Sequence, residues 1–536
     1  MFTNKLLLCV IAIMLSFGGV HALNEMPLLA EILGEHNMAT FGWSIVSLDF
    51  NHDSIDDLIV FSASYGYQYQ QSPTRGKVYI YYGGPDFSSA SEPAMTIEGD
   101  YPNGTQRIIT SLRNIGDVSG DGYDDLVVTD AIPGPTGFYI EGSERYMLFY
   151  GGAGDLSAPD RIEFPRPDES FSPYVKLGDV DGDGYGDIGI FYYINYRPYF
   201  DIMWGGAYSR QNLLALDHIS TSAEGSIIGI GDINNDGFHD FSIGYLEAEQ
   251  GIDQYSTVRV YYGNSSRVFT EYTLIAHTPS SITRRCKPFG DLNNDGFDDF
   301  LGYIDSSGMN VWLGSSSNLT LNPNVSLYPI YFGNTQLRGI NSGDFNGDGF
   351  SDVIGATYQG RRFAVWLGGV NMDGYADWQK INDIENFGYD VAVGDFNADR
   401  CDDIAVSAPN EEGIWPYHNF PGYVFVYAGN PGMVANDDQF APPLTEGLNM
   451  LISPNPVRRD GFAKISLSGA DKYVGLPVKV EVFNIKGQAV HQTETPQSYT
   501  QDYNAELNLA GLPSGVYVCR ASIGKQAFSK KITIIK

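Results

Sequence analysis

The stretch DVDGDGYGD, residues 179 to 187, places four carboxylates in nine residues: Asp179, Asp181, Asp183 and Asp187. Charges that close repel one another unless a cation sits among them. The phrase recurs six times, as DFNHDSIDD from Asp49, DVSGDGYDD from Asp117, DINNDGFHD from Asp232, DLNNDGFDD from Asp291, DFNGDGFSD from Asp344 and DFNADRCDD from Asp395. Positions 1, 5 and 9 are always Asp, and position 3 is Asp, Asn or Ser. Alternate oxygens converging on one point, with a backbone carbonyl from position 7, suit a hard cation that takes about six to eight oxygens. Calcium fits best, because magnesium keeps more of its water and transition metals prefer His and Cys side chains.

The expected ligand sets follow by position. They are Asp49, Asn51, Asp53, Ile55 and Asp57; Asp117, Ser119, Asp121, Tyr123 and Asp125; and Asp179, Asp181, Asp183, Tyr185 and Asp187. The next two are Asp232, Asn234, Asp236, Phe238 and Asp240, then Asp291, Asn293, Asp295, Phe297 and Asp299. The last two are Asp344, Asn346, Asp348, Phe350 and Asp352, then Asp395, Asn397, Asp399, Cys401 and Asp403. An EF-hand loop begins similarly but needs a bidentate Glu at position 12. Here that position is Val60, Val128, Ile190, Ile243, Gly302, Gly355 and Val406. Asp, Asn and Gly also favour ordinary solvated turns, but seven copies in register argue for a shared ligand. Up to seven structural calcium ions would face 22 carboxylates and relieve their mutual repulsion. The third loop, with four carboxylates and Gly184, is expected to bind most tightly. Ser119 is a weaker ligand, and Ser54 and Arg400 replace the turn glycine in the first and last copies, which are expected to be weakest.

Each loop must be held by flanking elements. An apolar run precedes it, such as GWSIVSL from Gly42, and another follows, such as DLIVFSA from Asp57. A third run ends in an aromatic residue and glycine, as in KVYIYYGG to Gly84, and a weaker fourth follows. These are short β-strands, and seven four-stranded units predict an all-β, seven-bladed β-propeller over residues 23–430. The last unit lacks its fourth strand, and PLLAEILG from Pro27 is expected to supply it, closing the ring without a bare edge. The recurrent strand-three aromatics, Tyr82, Tyr150, Trp204, Tyr262, Trp312, Trp366 and Tyr427, read as packing between blades.

A linker over 431–446 leads to a second domain, 447–536. Residues 445–536 hold 11 bases and 7 acids, against 20 bases and 58 acids over 23–444. Alternating runs such as AKISLSG, VKVEVFNI and KKITIIK predict a small immunoglobulin-like β-sandwich.

Over all 536 residues the net charge is −33, which argues against nucleic acid or anionic membrane surfaces as partners. Residues 1–22 read as a signal peptide: Lys5, an apolar run from Leu6 to Phe17, and Val20-His21-Ala22 before the cleavage point. No later stretch reaches the roughly 20 apolar residues of a membrane-spanning helix. Cys286, Cys401 and Cys519 show no pairing pattern and are expected to be buried thiols.

The segments FGWSIVSLDFNHDSIDDLIVFSA and FGYDVAVGDFNADRCDDIAVSAP resemble the FG-GAP repeats of integrin α-subunit propellers, Phe-Gly included, with the Ala-Pro in the second. The resemblance covers roughly 27–430 and implies a seven-bladed ring whose loops bind calcium through positions 1, 3, 5, 7 and 9. The C-terminal pieces LISPNP, VKVEVFNIKGQAV, LNLAGLPSGVYVCR and KKITIIK resemble the type A sorting domain of type IX secretion. That implies the secretion machinery as a partner, and a secreted or outer-surface location in a Gram-negative bacterium.

Motifs for metalloprotease, serine hydrolase or phosphate-loop chemistry are absent from the sequence. If the acidic loops join strands one and two, the loops joining strands two and three emerge from the other end. Several of those are aromatic, with Tyr65, Tyr67 and Tyr69; Tyr139; Tyr193 and Tyr196; and Trp415 and Tyr417 as candidate ligand contacts. The sequence therefore predicts a non-enzymatic, calcium-stabilised adhesion or binding module for protein or carbohydrate. The alternative is a polysaccharide-degrading lyase or hydrolase, which would place a carboxylate pair or a Tyr/Arg pair in the central funnel.

Overall fold

The computed structural model describes residues 25–35, 40–63, 76–99, 107–133, 140, 143–151, 174–194, 197–206, 209–215, 225–249, 252–278, 286–305, 308–317, 319–328, 337–409, 421–433, 449–453, 462–468, 478–484, 489–495, 503–509, 511–513, 515–523 and 526–534. The expected signal peptide lies outside these residues, as does most of the expected linker. The chain divides into two compact units, Met1–Asn436 and Asp437–Lys536.

The first unit is a β-propeller of seven antiparallel sheets among the described residues. Its inner strands are Phe41–Leu48, Ile108–Gly116, Tyr174–Gly178, Ser226–Gly231, Lys287–Gly290, Gly339–Gly343 and Val391–Gly394. Each adjoins the inner strand of the next sheet, and the seventh returns to the first. The second strands are Asp57–Ser62, Asp125–Ala131, Asp187–Ile194, Asp240–Glu249, Asp299–Asp305, Asp352–Thr357 and Asp403–Ala408, each opening on a position-9 aspartate. Leu28–Leu33 pairs antiparallel with Tyr423–Tyr427, so the N-terminal strand does complete the seventh sheet. The second sheet has three strands among the described residues, and the stretch expected to carry its fourth, after Gly151, falls outside them.

The second strands read as continuous apolar runs because both of their faces are covered by neighbouring sheets. Every residue of Asp57–Ser62, Asp352–Thr357 and Asp403–Ala408 is buried. The cores are shared between blades: Ile354 and Phe363 of the sixth pack with Val406 and Phe425 of the seventh. Trp204, Trp312, Trp366 and Tyr427 are buried, and Tyr82, Tyr150 and Tyr262 pack half-buried beside the core, as inter-blade packing requires.

The second unit pairs a three-stranded sheet (Asn449–Ser453, Phe462–Ser468, Tyr503–Asn508) with a four-stranded one (Ala489–Thr495, Val478–Asn484, Gly515–Ile523, Gln526–Ile534). Ile465 and Leu507 of the first meet Val480, Val482, Tyr517 and Ile532 of the second in one core, giving the expected sandwich. Cys286, Cys401 and Cys519 are all buried free thiols.

Candidate metal centres

Backbone amides shape every acidic loop around its first aspartate. Asp179 Oδ1 accepts the N–H of Gly182 at 2.7 Å and of Asp183 at 3.1 Å, while Oδ2 accepts that of Gly184 at 2.9 Å. Asp49 receives His52, Asp53 and Ser54 at 2.8, 3.2 and 2.8 Å, and Asp395 receives Asp399 and Arg400 at 3.0 and 2.9 Å. The position-5 carboxylate accepts the N–H of position 7 in all seven copies, from Ile55 to Asp53 through Cys401 to Asp399. That bond folds residue 7 back over the loop.

Position 9 joins the loop to the blade. Asp57, Asp125, Asp187, Asp240, Asp299, Asp352 and Asp403 are all fully buried. Asp187 Oδ2 accepts Val180 N–H at 2.8 Å and its Oδ1 accepts Gly205 N–H, at the end of strand three, at 2.9 Å. The same two bonds recur in the other six blades, for example from Phe396 and Gly429 to Asp403. Burial lifts the carboxyls of Asp57, Asp125, Asp187 and Asp299 to about 7, and those of Asp240, Asp352 and Asp403 to about 8, against the opposing pull of these amides. A buried acid with only amide donors and like charges around it suits a place beside a cation. An all-oxygen donor set and uncompensated buried carboxylates both fit calcium.

Among the described residues the third loop brings ligand atoms of Asp179, Asp181 and Asp187 within 4.8 Å of one another. Arg267 of the fourth blade also reaches it: Nε donates to Asp181 Oδ2, and Nη2 donates to Asp183 Oδ2 at 3.1 Å. The guanidinium lies 4.5 Å from the Trp204 ring centre. Where position 3 is Asn, the amide turns to the position-5 carboxylate in four loops, as from Asn51 to Asp53 at 3.0 Å; Asn397 instead donates to Asp403 at 3.2 Å. Ser119 donates to Asp117 at 3.3 Å.

Position 8, unremarked in the sequence, ties neighbouring loops together. His239 N–H donates to the Asp179 carbonyl at 2.9 Å, and its Nδ1 accepts Asp179 N–H at 3.0 Å. Asp298, Asp402 and Asp56 likewise accept the N–H of Asp232, Asp344 and Asp395 at 2.8, 2.8 and 3.0 Å. Through Asp56 the first loop joins the last. The only signal in the sequence was a polar residue before the position-9 Asp in six of the seven copies, the third having Gly186 there.

The turn at position 6 has positive φ in every copy, from +89° to +94° for the five glycines, +67° for Ser54 and +74° for Arg400. Position 4 is also left-handed, with His52 at +64° and Ala398 at +64°.

On the opposite end, Tyr65, Tyr67, Tyr69, Tyr139, Tyr196, Trp415 and Tyr417 lie outside the described residues. Tyr193 is corrected: it belongs to the second strand, paired with Pro198, because the hairpin continues to Ile194 and Arg197 instead of opening into a long loop. Alternating aromatics there fit strand pairing, and Tyr192 stacks on Tyr199 at 5.3 Å. The described surface at this end instead holds an arginine among aromatics at the entries of the inner strands: Arg338, Trp43, Tyr358 and Tyr389. The residue after each Phe-Gly, Trp43 and Tyr389, was the available signal.

Residues 41–81 and 387–427 match the FG-GAP repeat, and residues 451–536 match the secretion system C-terminal sorting domain. The β-propeller thus carries two segments that match the FG-GAP repeat of integrin α-subunits, and the second unit carries a sorting domain of type IX secretion, which directs export to the outer surface or the medium. Integrin alpha-PS5 of Drosophila melanogaster is 29% identical over 30% of this chain and 15% of its own length. Integrin alpha-5 of Xenopus laevis is 27% identical over 32% of this chain and 17% of its own. Phosphatidylinositol-glycan-specific phospholipase D of Rattus norvegicus is 30% identical over 28% and 18%. The chain therefore spans under a fifth of the length of these relatives. FG-GAP repeats in integrins bind calcium. Among solved structures, PorZ, an essential bacterial surface component of the type-IX secretion system of Porphyromonas gingivalis, aligns over 92% of this chain and 59% of its own at 12% identity and a TM-score of 0.39. Among the described residues, no helix is long and apolar enough to cross a membrane.

Proposed function

We propose that this protein is a calcium-stabilised binding module of the outer cell surface or medium, capturing protein or carbohydrate on the propeller end opposite its acidic loops. The observation carrying this reading is the recurrence of one fully buried aspartate per loop, bonded in every blade to position 2 and to the end of strand three. Such loops serve as cation-filled joints of a rigid scaffold. The ion in each would be held by positions 1, 3, 5 and 9 with the carbonyl of position 7, and would supply the charge that lets the buried acids stay ionised. Ends engaged in that work leave the other end for recognition.

The test is a screen of the full secreted chain against glycans and cell-envelope fractions, in calcium and in chelator, with an assay for released reducing ends or unsaturated products. Calcium-dependent capture without product is expected. Product formation would overturn the binding reading in favour of a lyase or hydrolase. A Tyr/Arg pair does lie at the inner-strand entries, Arg338 with Tyr389, but the phenol is only 1% exposed and is capped by the guanidinium, which suits support better than proton transfer.

A further inference from the structure

We propose that Arg338, seated on Tyr389 and flanked by Trp43 and Tyr358, is a carboxylate-binding site for a hexuronate sugar. The inference rests on the reading of this end as the recognition surface and names the chemistry it would recognise.

Three blades build the site. Arg338 immediately precedes the sixth inner strand, Gly339–Gly343, and Tyr358 follows the sixth second strand, Asp352–Thr357. Tyr389 stands two residues before the seventh inner strand, Val391–Gly394, and Trp43 lies near the start of the first, Phe41–Leu48. All four are at strand ends away from the acidic loops. The guanidinium carbon is 3.5 Å from the centre of the Tyr389 ring, 5.7 Å from that of Tyr358 and 6.0 Å from that of Trp43. Arg338 Nη2 donates to Tyr389 Oη at 2.5 Å. The rings brace one another, with Trp43 5.1 Å and Tyr358 5.6 Å from Tyr389.

Tyr389 is buried and Arg338 is exposed, so the ring is a floor and the charged fork faces outward. A free arginine side chain gives up rotamer freedom when it is fixed; here stacking and the phenol bond have already fixed it, which is preorganisation for a ligand. Among the described residues no carboxylate pairs with Arg338, although the chain carries a net charge of −33. The neighbouring acid, Asp390, is engaged elsewhere: it accepts Ile45 N–H and Val391 N–H, each at 3.1 Å, and lies near Lys287.

A planar fork on an exposed arginine, with N–H groups beyond the one given to Tyr389, matches a carboxylate with two parallel bonds. The half-buried rings of Trp43 and Tyr358 beside it offer apolar faces for the C–H face of a pyranose. A hexuronate joins those two features in one residue. The overall negative charge disfavours a run of consecutive uronates, so the fitting ligand spaces its acids with neutral sugars.

The test is calorimetric titration of the full chain in calcium with a hexasaccharide of alternating glucuronate and N-acetylglucosamine, and with the same oligosaccharide after reduction of its carboxyls to alcohols. Wild-type protein is expected to bind the acidic form at least 10-fold more tightly than the reduced one. Arg338→Gln should lose that difference with an unchanged melting temperature, and Arg338→Lys, which keeps the charge but not the fork, should not restore it. Equal binding of both sugars, or full affinity in Arg338→Gln, overturns the proposal. So does selective capture of an acidic peptide in place of the sugar. Envelope capture that survives Arg338→Gln would sink this site and leave the surface reading standing, whereas a wild-type chain that captures nothing would remove both.

Discussion

The third and seventh acidic loops share one backbone frame and meet their charge differently. In both, position 1 collects the amides of positions 5 and 6, position 5 collects that of position 7, and a fully buried position 9 collects two more. The third loop adds Asp181 but brings Arg267 against it, and its turns are glycines. The seventh has three acids at its ligand positions, no arginine pairing with them among the described residues, and Ala398 and Arg400 in left-handed conformations. The frame thus depends on the three invariant aspartates, while local charge and strain are set by what surrounds them.

The comparison breaks most completely if calcium is not the shared support. At about 1 mM calcium and a dissociation constant of roughly 10⁻⁴ M, each loop would contribute about 1.4 kcal/mol. Summed over the ring, chelator should lower the melting temperature of the propeller by more than about 10 °C in a calorimetric scan. An unchanged scan would remove calcium from the account of both loops.

Next in size is position 9. Asp187→Ala and Asp403→Ala should each leave two buried N–H groups without an acceptor, at about 1–3 kcal/mol per group, and the two variants should lose similar stability in urea unfolding. Unequal losses would mean that the frame is not common to the two loops.

Arg267→Gln sharpens the difference between them. Removing the guanidinium from Asp181 and Asp183 should strengthen ion binding at the third loop several-fold, read by terbium luminescence, and lower stability in chelator by about 1 kcal/mol. Weaker terbium binding would show that the arginine assists the ion instead of competing with it.

The smallest effect belongs to the seventh turn. Arg400→Gly relieves a side chain at φ +74° and should stabilise the protein by about 1 kcal/mol. The same change at Gly184 has no counterpart, and Gly184→Ala should destabilise by a similar amount.

The aspartates at positions 1, 5 and 9, the strand runs around them and the strand-three aromatics were legible because they recur at fixed offsets, and a backbone loop repeats whenever its turn chemistry does. The closing strand Leu28–Leu33 was legible by subtraction, from a seventh unit short of one strand. The position-8 ties were not, since His239, Asp298 and Asp56 act on another blade's amides. Tyr193 was misplaced because a long hairpin and an aromatic loop share composition.

The sequence alone determined the module, its number of copies, its oxygen-rich loops and the change of charge at the second domain, since each rests on local spacing. Only the tertiary structure decided that Arg267 meets the third loop from 80 residues beyond its last aspartate, and that Arg338, Tyr358, Tyr389 and Trp43 share one surface. Closure of the ring makes those neighbours, and closure is a property of all the blades together.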